Sequence, residues 1–323
     1  MTSSTSPGRT CPLHYHYGPD AFRQPEPPQL VNLDVLYVVG GLYGNELALE
    51  QVLRMFDAEQ GRKQLVFNGD FHWFDAHPAT FDRIQREVLR HVALRGNVET
   101  ELANETAISD AGCGCAYPDW VGDAVVDRSN RILQRLWAAA TADHRAQLAA
   151  LPMWQTATVG HMRIGIVHGD AQSLAGWGFA QEHLADATHR DAVRPWFAQA
   201  GVDAFACTHT CLPVFQSFQR PDNLPPAWVF NNGAAGMPNF QGDPAGLLTR
   251  IALTAPPTGH TSRASVVQGS VHVDALTIDV PAPDVQQRFL AIWPPGSDAH
   301  ASYFSRIAAG PTYQPHQVVR QED

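Results

Sequence analysis

Charge is scarce in this chain, and what there is leans acidic. Asp, Glu, Lys and Arg make up 17% of 323 residues, and the formal net charge is −10. A nucleic-acid backbone or an anionic membrane wants basic surface, so neither is an expected partner. A small anionic substrate stays open, because a bound metal ion can dominate its local field. No apolar run approaches the ~18 residues of a membrane span. The opening stretch Met1 to Pro7 lacks the apolar run of a signal peptide, which leaves the cytoplasm as the expected location. Cysteines are few and odd in number (Cys11, Cys113, Cys115, Cys207 and Cys211), which does not suit a disulfide framework. Internal repeats and long low-complexity tracts are missing as well.

What is present is enough apolar material, 44%, for a sizeable core in one large α/β domain or two ordinary ones. Residues 1–30, rich in Pro, Ser and His, are expected as an irregular strap. Within them Cys11, His14 and His16 are ligand types, but no partner is indicated by spacing, and aromatic residues lying on the domain are the better reading. Residues 31–323 are expected as a single domain, with about 245–323 an extension packed on it.

Val35 to Val39 reads as a buried strand, closed by a glycine-rich turn through Gly40, Gly41 and Gly44. That turn lacks the G-x-G-x-x-G order of a dinucleotide site. A helix is expected from about Glu46 to Ala58, with Leu49, Val52, Leu53 and Phe56 at helical spacing. Gln64 to Phe67 is a second strand, running into Asn68, Gly69 and Asp70. Val92 to Leu94 is a third, closed by Gly96 and Asn97. Residues 119–149 read as long helical material. Met162 to Val167 ends in His168-Gly169-Asp170, and residues 178–200 look helical with a break before Pro195. Val202 to Cys207 ends in Thr208-His209-Thr210-Cys211. Strands are expected near 247–254 and 271–279, and a final helix within 284–309 after the Trp293-Pro294-Pro295 break. Helices with strands dominate the first half and strands with turns the second, which fits two packed sheets flanked by helices. Four strand ends thus carry metal-ligand residue types, where open α/β sheets place their ligands.

The order Gly69-Asp70, Gly96-Asn97, His168-Gly169 and Thr208-His209-Thr210-Cys211 resembles that of the calcineurin-like metallophosphoesterases, over roughly residues 33–240. The resemblance implies an α/β fold, a four-layer αββα sandwich of two mixed β-sheets flanked by helices. It also implies a metal centre on strand-end loops. Asp70, Asn97, His168 and His209 match one of the family's two metal sites. The other is altered: Gly41 and Tyr43 stand where its first Asp and His belong, and Cys211 where its last His belongs. Gly44-Asn45 falls on the family's first Gly-Asn. The place of a leaving-group His found in larger members is held by Val98.

A carboxylate, an amide oxygen and two imidazoles suit Mn²⁺, Fe²⁺ or Zn²⁺. The resemblance therefore implies metal-activated water attacking a phosphate ester of a small molecule, with Asp70, Asn97 and His168 catalytic. A second ion is an open expectation. Cys211 is a thiolate ligand type, and His72 would point with Asp70 if the chain between them were extended. Cys113 and Cys115 lie on a glycine-rich loop able to approach. Tyr43, Asn45 and Glu99 are candidates for substrate contact, with Glu99 and Asp170 also candidate partners of a ligand histidine. Two other readings remain at this stage: a protein-binding scaffold on the same fold, or a single-iron enzyme with a different reaction.

Overall fold

The computed structural model describes residues 7–106 and 109–322; residues 1–6, expected to hold no leader, lie outside them. The elements begin with β1 (Leu30–Leu33), β2 (Val35–Val39), α1 (Glu46–Ala58) and β3 (Lys63–Asn68). Next come α2 (Pro78–Val88), β4 (Val92–Leu94), α3 (Asn97–Leu102), α4 (Asp123–Ala139) and α5 (Ala142–Ala149). The middle holds β5 (Trp154–Val159), β6 (Met162–Val167), α6 (Ala187–Ala200), β7 (Ala204–Cys207), β8 (Val214–Phe218) and β9 (Ala227–Asn231). Then follow β10 (Gly246–Ala252), β11 (Ser262–Gln268), β12 (Val271–Ile278), α7 (Ala282–Ile292), α8 (Asp298–Ala309) and β13 (Val319–Arg320).

The strands form a seven-stranded sheet, β1-β5-β6-β7-β9-β8-β13, and a six-stranded sheet, β11-β12-β10-β2-β3-β4. Both are mixed: β2, β3 and β4 run parallel, as do β6, β7 and β9, while β10 and β5 pair antiparallel with β2 and β6. Residues after about 245 therefore supply half of the six-stranded sheet.

Strand β2 shows why the layers form. All five of its residues are buried, as expected of a strand covered on both faces. Successive side chains point to opposite faces. Val35, Tyr37 and Val39 meet the helices, with Leu49, Val52 and Phe56 of α1 among their neighbours. Leu36 and Val38 face the other way, into a core shared with Ile164, Ile166, Ala206 and Phe230 of the opposite sheet. Helix α6 covers the far side of the seven-stranded sheet through Val193 and Phe197. The result is the expected αββα sandwich.

Two helical expectations needed correction. The 119–149 stretch is split at Thr141, whose hydroxyl accepts from the His144 amide at 3.1 Å and starts α5. Helix α6 runs through Pro195 instead of breaking before it. The missing N–H leaves the Asp191 carbonyl without its helical donor, and Asp191 is solvent-exposed, so water can serve it. The N-terminal strap buries Tyr15 and Phe22 completely. Its Cys11 sulfur lies 3.0 Å from Ser173 Oγ. Among the described residues, no helix is long and apolar enough to cross a membrane.

Candidate metal centre

Strands β3, β4, β6 and β7 end side by side at one edge of the sandwich, two from each sheet. Their loops carry Asp70, Asn97, His168 and His209. Two glycines make the convergence feasible. A Cβ on Gly69, which sits at φ +77°, would come within 2.6 Å of both the Gly96 nitrogen and His168 Nδ1. A Cβ on Gly96 would meet Asp70 Oδ1 at 2.3 Å. Asn68 ties the two sheets together here: its Nδ2 donates to the Val167 carbonyl at 2.8 Å.

The four side chains meet at a point. His168 Nε2 lies 3.1 Å from Asn97 Oδ1, 3.2 Å from His209 Nδ1 and 3.4 Å from Asp70 Oδ2. Asp70, His168 and His209 are the group of acidic, His or Cys side chains found close enough to share an ion among the described residues. Each donor is turned inward by a partner behind it. The His168 Nδ1–H donates to the Asn68 carbonyl at 3.0 Å, and the His209 Nε2–H donates to the Cys115 carbonyl at 3.2 Å. Asn97 Nδ2 donates to the Cys113 carbonyl at 3.0 Å, which leaves Oδ1 facing in. Carbonyls only accept, so these bonds fix both imidazole tautomers and the amide orientation. With both rings neutral, four lone-pair atoms crowd one spot. Such a set fits a cation.

The two rings titrate in opposite directions. Burial opposes charge on His168, yet the Asp70 carboxylate and the Asn68 carbonyl outweigh it and hold its pKa above the ordinary value. Burial, and then the neighbouring His168, push His209 down to about 3, so it presents a neutral ring.

Several expected residues lie elsewhere in this geometry. His72 does not share the face of Asp70. Asp70 is left-handed, at φ +51°, so the chain is not extended there and the alternation fails. The His72 ring is fully buried, with Nδ1 2.5 Å from Asp75 Oδ2 and its face stacked 3.7 Å from Phe81. Its other nitrogen faces Gln85 Oε1 at 3.3 Å, which leaves it none for a metal. Asn45 is the N-cap of α1: Oδ1 accepts from Ala48 at 3.1 Å and Nδ2 donates to the Gly236 carbonyl at 3.0 Å. Both ends of its amide are engaged away from the cluster.

The Glu99 carboxylate meets backbone amides and no histidine ring. It is fully buried and accepts from the amides of Asp70 at 2.7 Å, Gly96 at 2.9 Å and His72 at 3.2 Å. It is the clasp that shapes the Asp70 loop. Burial, and then Asp70, raise its pKa to about 7 against the pull of those amides. Asp170 likewise serves its own loop, accepting from Gln172, Ser173 and Gly178.

Cys211 stands outside the ligand group. Its sulfur lies 2.8 Å from the Tyr43 hydroxyl, so the two residues at the altered positions satisfy each other. Burial raises both their pKa values, while nearby Arg306 pulls the other way. Cys113 and Cys115 approach the cluster through their carbonyls, and their sulfurs are 2.6 Å apart.

A cavity of about 280 Å³ opens above the cluster, reaching Asp70, Asn97 and His209. Trp73, Tyr117, Trp177 and Tyr303 give it aromatic walls, and Arg306 of α8 adds a cation. Sequence reasoning missed Tyr117, Trp177 and Arg306. Loops and a distant helix carry them, with no motif to mark the spot.

Fold and cluster together define an α/β protein with a candidate cation site at the carboxyl ends of central strands. No protein-family model matches the chain, and no curated protein matches it. Among solved structures, a metallophosphoesterase from Sphaerobacter thermophilus matches with a TM-score of 0.55 at 17% identity, over 87% of this chain and 100% of that one. A hypothetical protein from Pyrococcus horikoshii OT3 matches with a TM-score of 0.56 at 13% identity, over 88% of this chain and 100% of that one. The chain thus has the fold of the calcineurin-like metallophosphoesterases.

Proposed function

We propose that this protein is a divergent metallophosphoesterase, a cytoplasmic metal-dependent hydrolase of phosphate esters or a related small phosphorus compound. The observation that carries this reading is the convergence of Asp70, Asn97, His168 and His209 on one point with their lone pairs inward. These four residues would hold one Mn²⁺, Fe²⁺ or Zn²⁺ ion. Such an ion, when bound, acidifies a water toward neutral pH and polarises a phosphoryl oxygen.

The rest is done by the chain itself. Glu99 fixes the Asp70 backbone, and the carbonyls of Cys113 and Cys115 keep Asn97 and His209 aimed. Trp177 donates from Nε1 to the Cys115 carbonyl at 3.1 Å and packs edge-on against His209, which screens that ligand from bulk water. The cavity volume suits a small ester, and its aromatic walls suit a planar, largely apolar leaving group.

Elemental analysis and a substrate screen test this together. Purified protein should carry close to one equivalent of a transition metal and hydrolyse a phosphomonoester or phosphodiester with Mn²⁺, Fe²⁺ or Zn²⁺. Retention below about one tenth of an equivalent, in a site whose ligands are already positioned, would sink the reading and favour a scaffold.

A further inference from the structure

Arg306 lies near the end of α8, half-buried in the wall of the cavity above the cluster. Two hydrogen bonds aim its guanidinium: Nε donates to the Pro238 carbonyl at 3.1 Å, and Nη2 to the Cys211 carbonyl at 2.7 Å. Both acceptors are neutral. Among the described residues, no carboxylate lies within ion-pair distance of Arg306, and Nη1 has no protein acceptor. A partly desolvated charge without a counter-ion is costly unless something anionic joins it. The Cys211 anchor places the guanidinium beside the Tyr43–Cys211 pair, on the side of the cluster that offers no ligand group.

Charge counting says what that something is. Asp70 is the one carboxylate among the residues lining the cavity. A divalent ion beside it leaves a single net positive charge. A phosphate monoester carries roughly −1.5 to −2 near neutral pH, one charge more than that can balance. A phosphodiester carries one negative charge and needs no further cation. The planar guanidinium fork also matches two phosphoryl oxygens, which a point charge does not.

Resting on the phosphoesterase reading, we propose that Arg306 is the second cation of the site, binds the non-bridging oxygens of the substrate phosphoryl group, and selects phosphomonoesters over phosphodiesters. In the reaction a water oxygen bonds to phosphorus as the ester P–O bond breaks. The bonding pair leaves on the ester oxygen, which gains a proton, while the water loses one. Ester and water become alcohol and orthophosphate. The charge spread over the equatorial oxygens during this exchange is what the guanidinium meets.

The test compares wild type, Arg306→Gln and Arg306→Lys for metal content, orthophosphate affinity by calorimetry, and hydrolysis of p-nitrophenyl phosphate and bis-p-nitrophenyl phosphate. Arg306→Gln should keep its metal equivalents and bind orthophosphate at least about tenfold more weakly. Its monoester kcat/KM should fall by about 10²–10³, with the diester changed much less. Arg306→Lys should fall between. Should Arg306→Gln fail to fold, wild type treated with phenylglyoxal gives the answer: orthophosphate should protect the Arg306 peptide from modification. Unchanged orthophosphate affinity in a metal-loaded variant, equal losses on both esters, or no protection would overturn the assignment. Wild-type protein that retains no metal would instead remove the phosphoesterase reading beneath it.

Discussion

The two sides of the cavity floor are built differently. On the side of Asp70, Asn97, His168 and His209, each inward-facing side chain is held by a backbone group behind it, the Val98 amide in the case of Asp70. On the side of Tyr43 and Cys211, the polar atoms face each other and are satisfied by one hydrogen bond. The first side gathers four acceptor atoms that would suit a cation. The second is complete as it stands, with an arginine in place beside it. Residue types alone do not separate these cases, since cysteine, tyrosine and histidine all ligate metals. What separates them is whether partners hold the donors apart or let them pair.

The most severe way to break this comparison is to remove a donor from the first side. Asp70→Ala and His209→Ala should each reduce bound metal to about a tenth of an equivalent or less and abolish hydrolysis, read by elemental analysis and turnover. Full activity in either would show that the convergence has no such role. A milder blow is Glu99→Gln, which alters the clasp and leaves every ligand in place. Metal affinity should drop by about 10- to 100-fold, measured by competition with a chelator.

Removing His72 should sharpen the contrast from outside the site. His72→Asn breaks the buried pairing with Asp75 and the stacking on Phe81, so unfolding stability should fall by about 3–5 kcal/mol in a denaturant titration. Metal affinity should stay within about twofold in the folded variant, a limit taken from the spread normal for non-ligand positions. A larger loss would return His72 to the metal. The smallest effect belongs to the second side: Tyr43→Phe deletes one hydrogen bond and should cost about 0.5–1.5 kcal/mol of stability, with metal stoichiometry unchanged. A loss of metal there would erase the difference between the two sides.

The sandwich was legible because its central strands are uninterrupted apolar runs followed by glycine turns, and β2 and β3 begin and end close to where those runs do. Strands β5 and β11 escaped notice. Gln155, Thr156 and Thr158 break the apolar run of one, and serines the other, although Gln155 and Thr156 are buried. The four converging residues were legible because each lies one to three residues past a strand end and because their order matches that of the resembled family. The structure departs from the sequence reading where local backbone matters. The left-handed turn at Asp70 rotated His72 into the core, and helix capping claimed Asn45. Glu99 reads in sequence as a first-turn helix residue, and only folding reveals which amides it grips. Arg306 was out of reach, because α8 comes to the cavity from more than two hundred residues beyond Asp70 in the chain.

Asp70 and Asn97 hang from one sheet, and His168 and His209 from the other. An ion held among them would fasten the two halves of the sandwich like a rivet. Ion occupancy and global stability are then one equilibrium: at a free ion concentration a hundred times Kd, the folded state should gain about 2.7 kcal/mol. Thermal denaturation should shift upward as the matching ion is titrated in and fall back with chelator, even where no substrate is known.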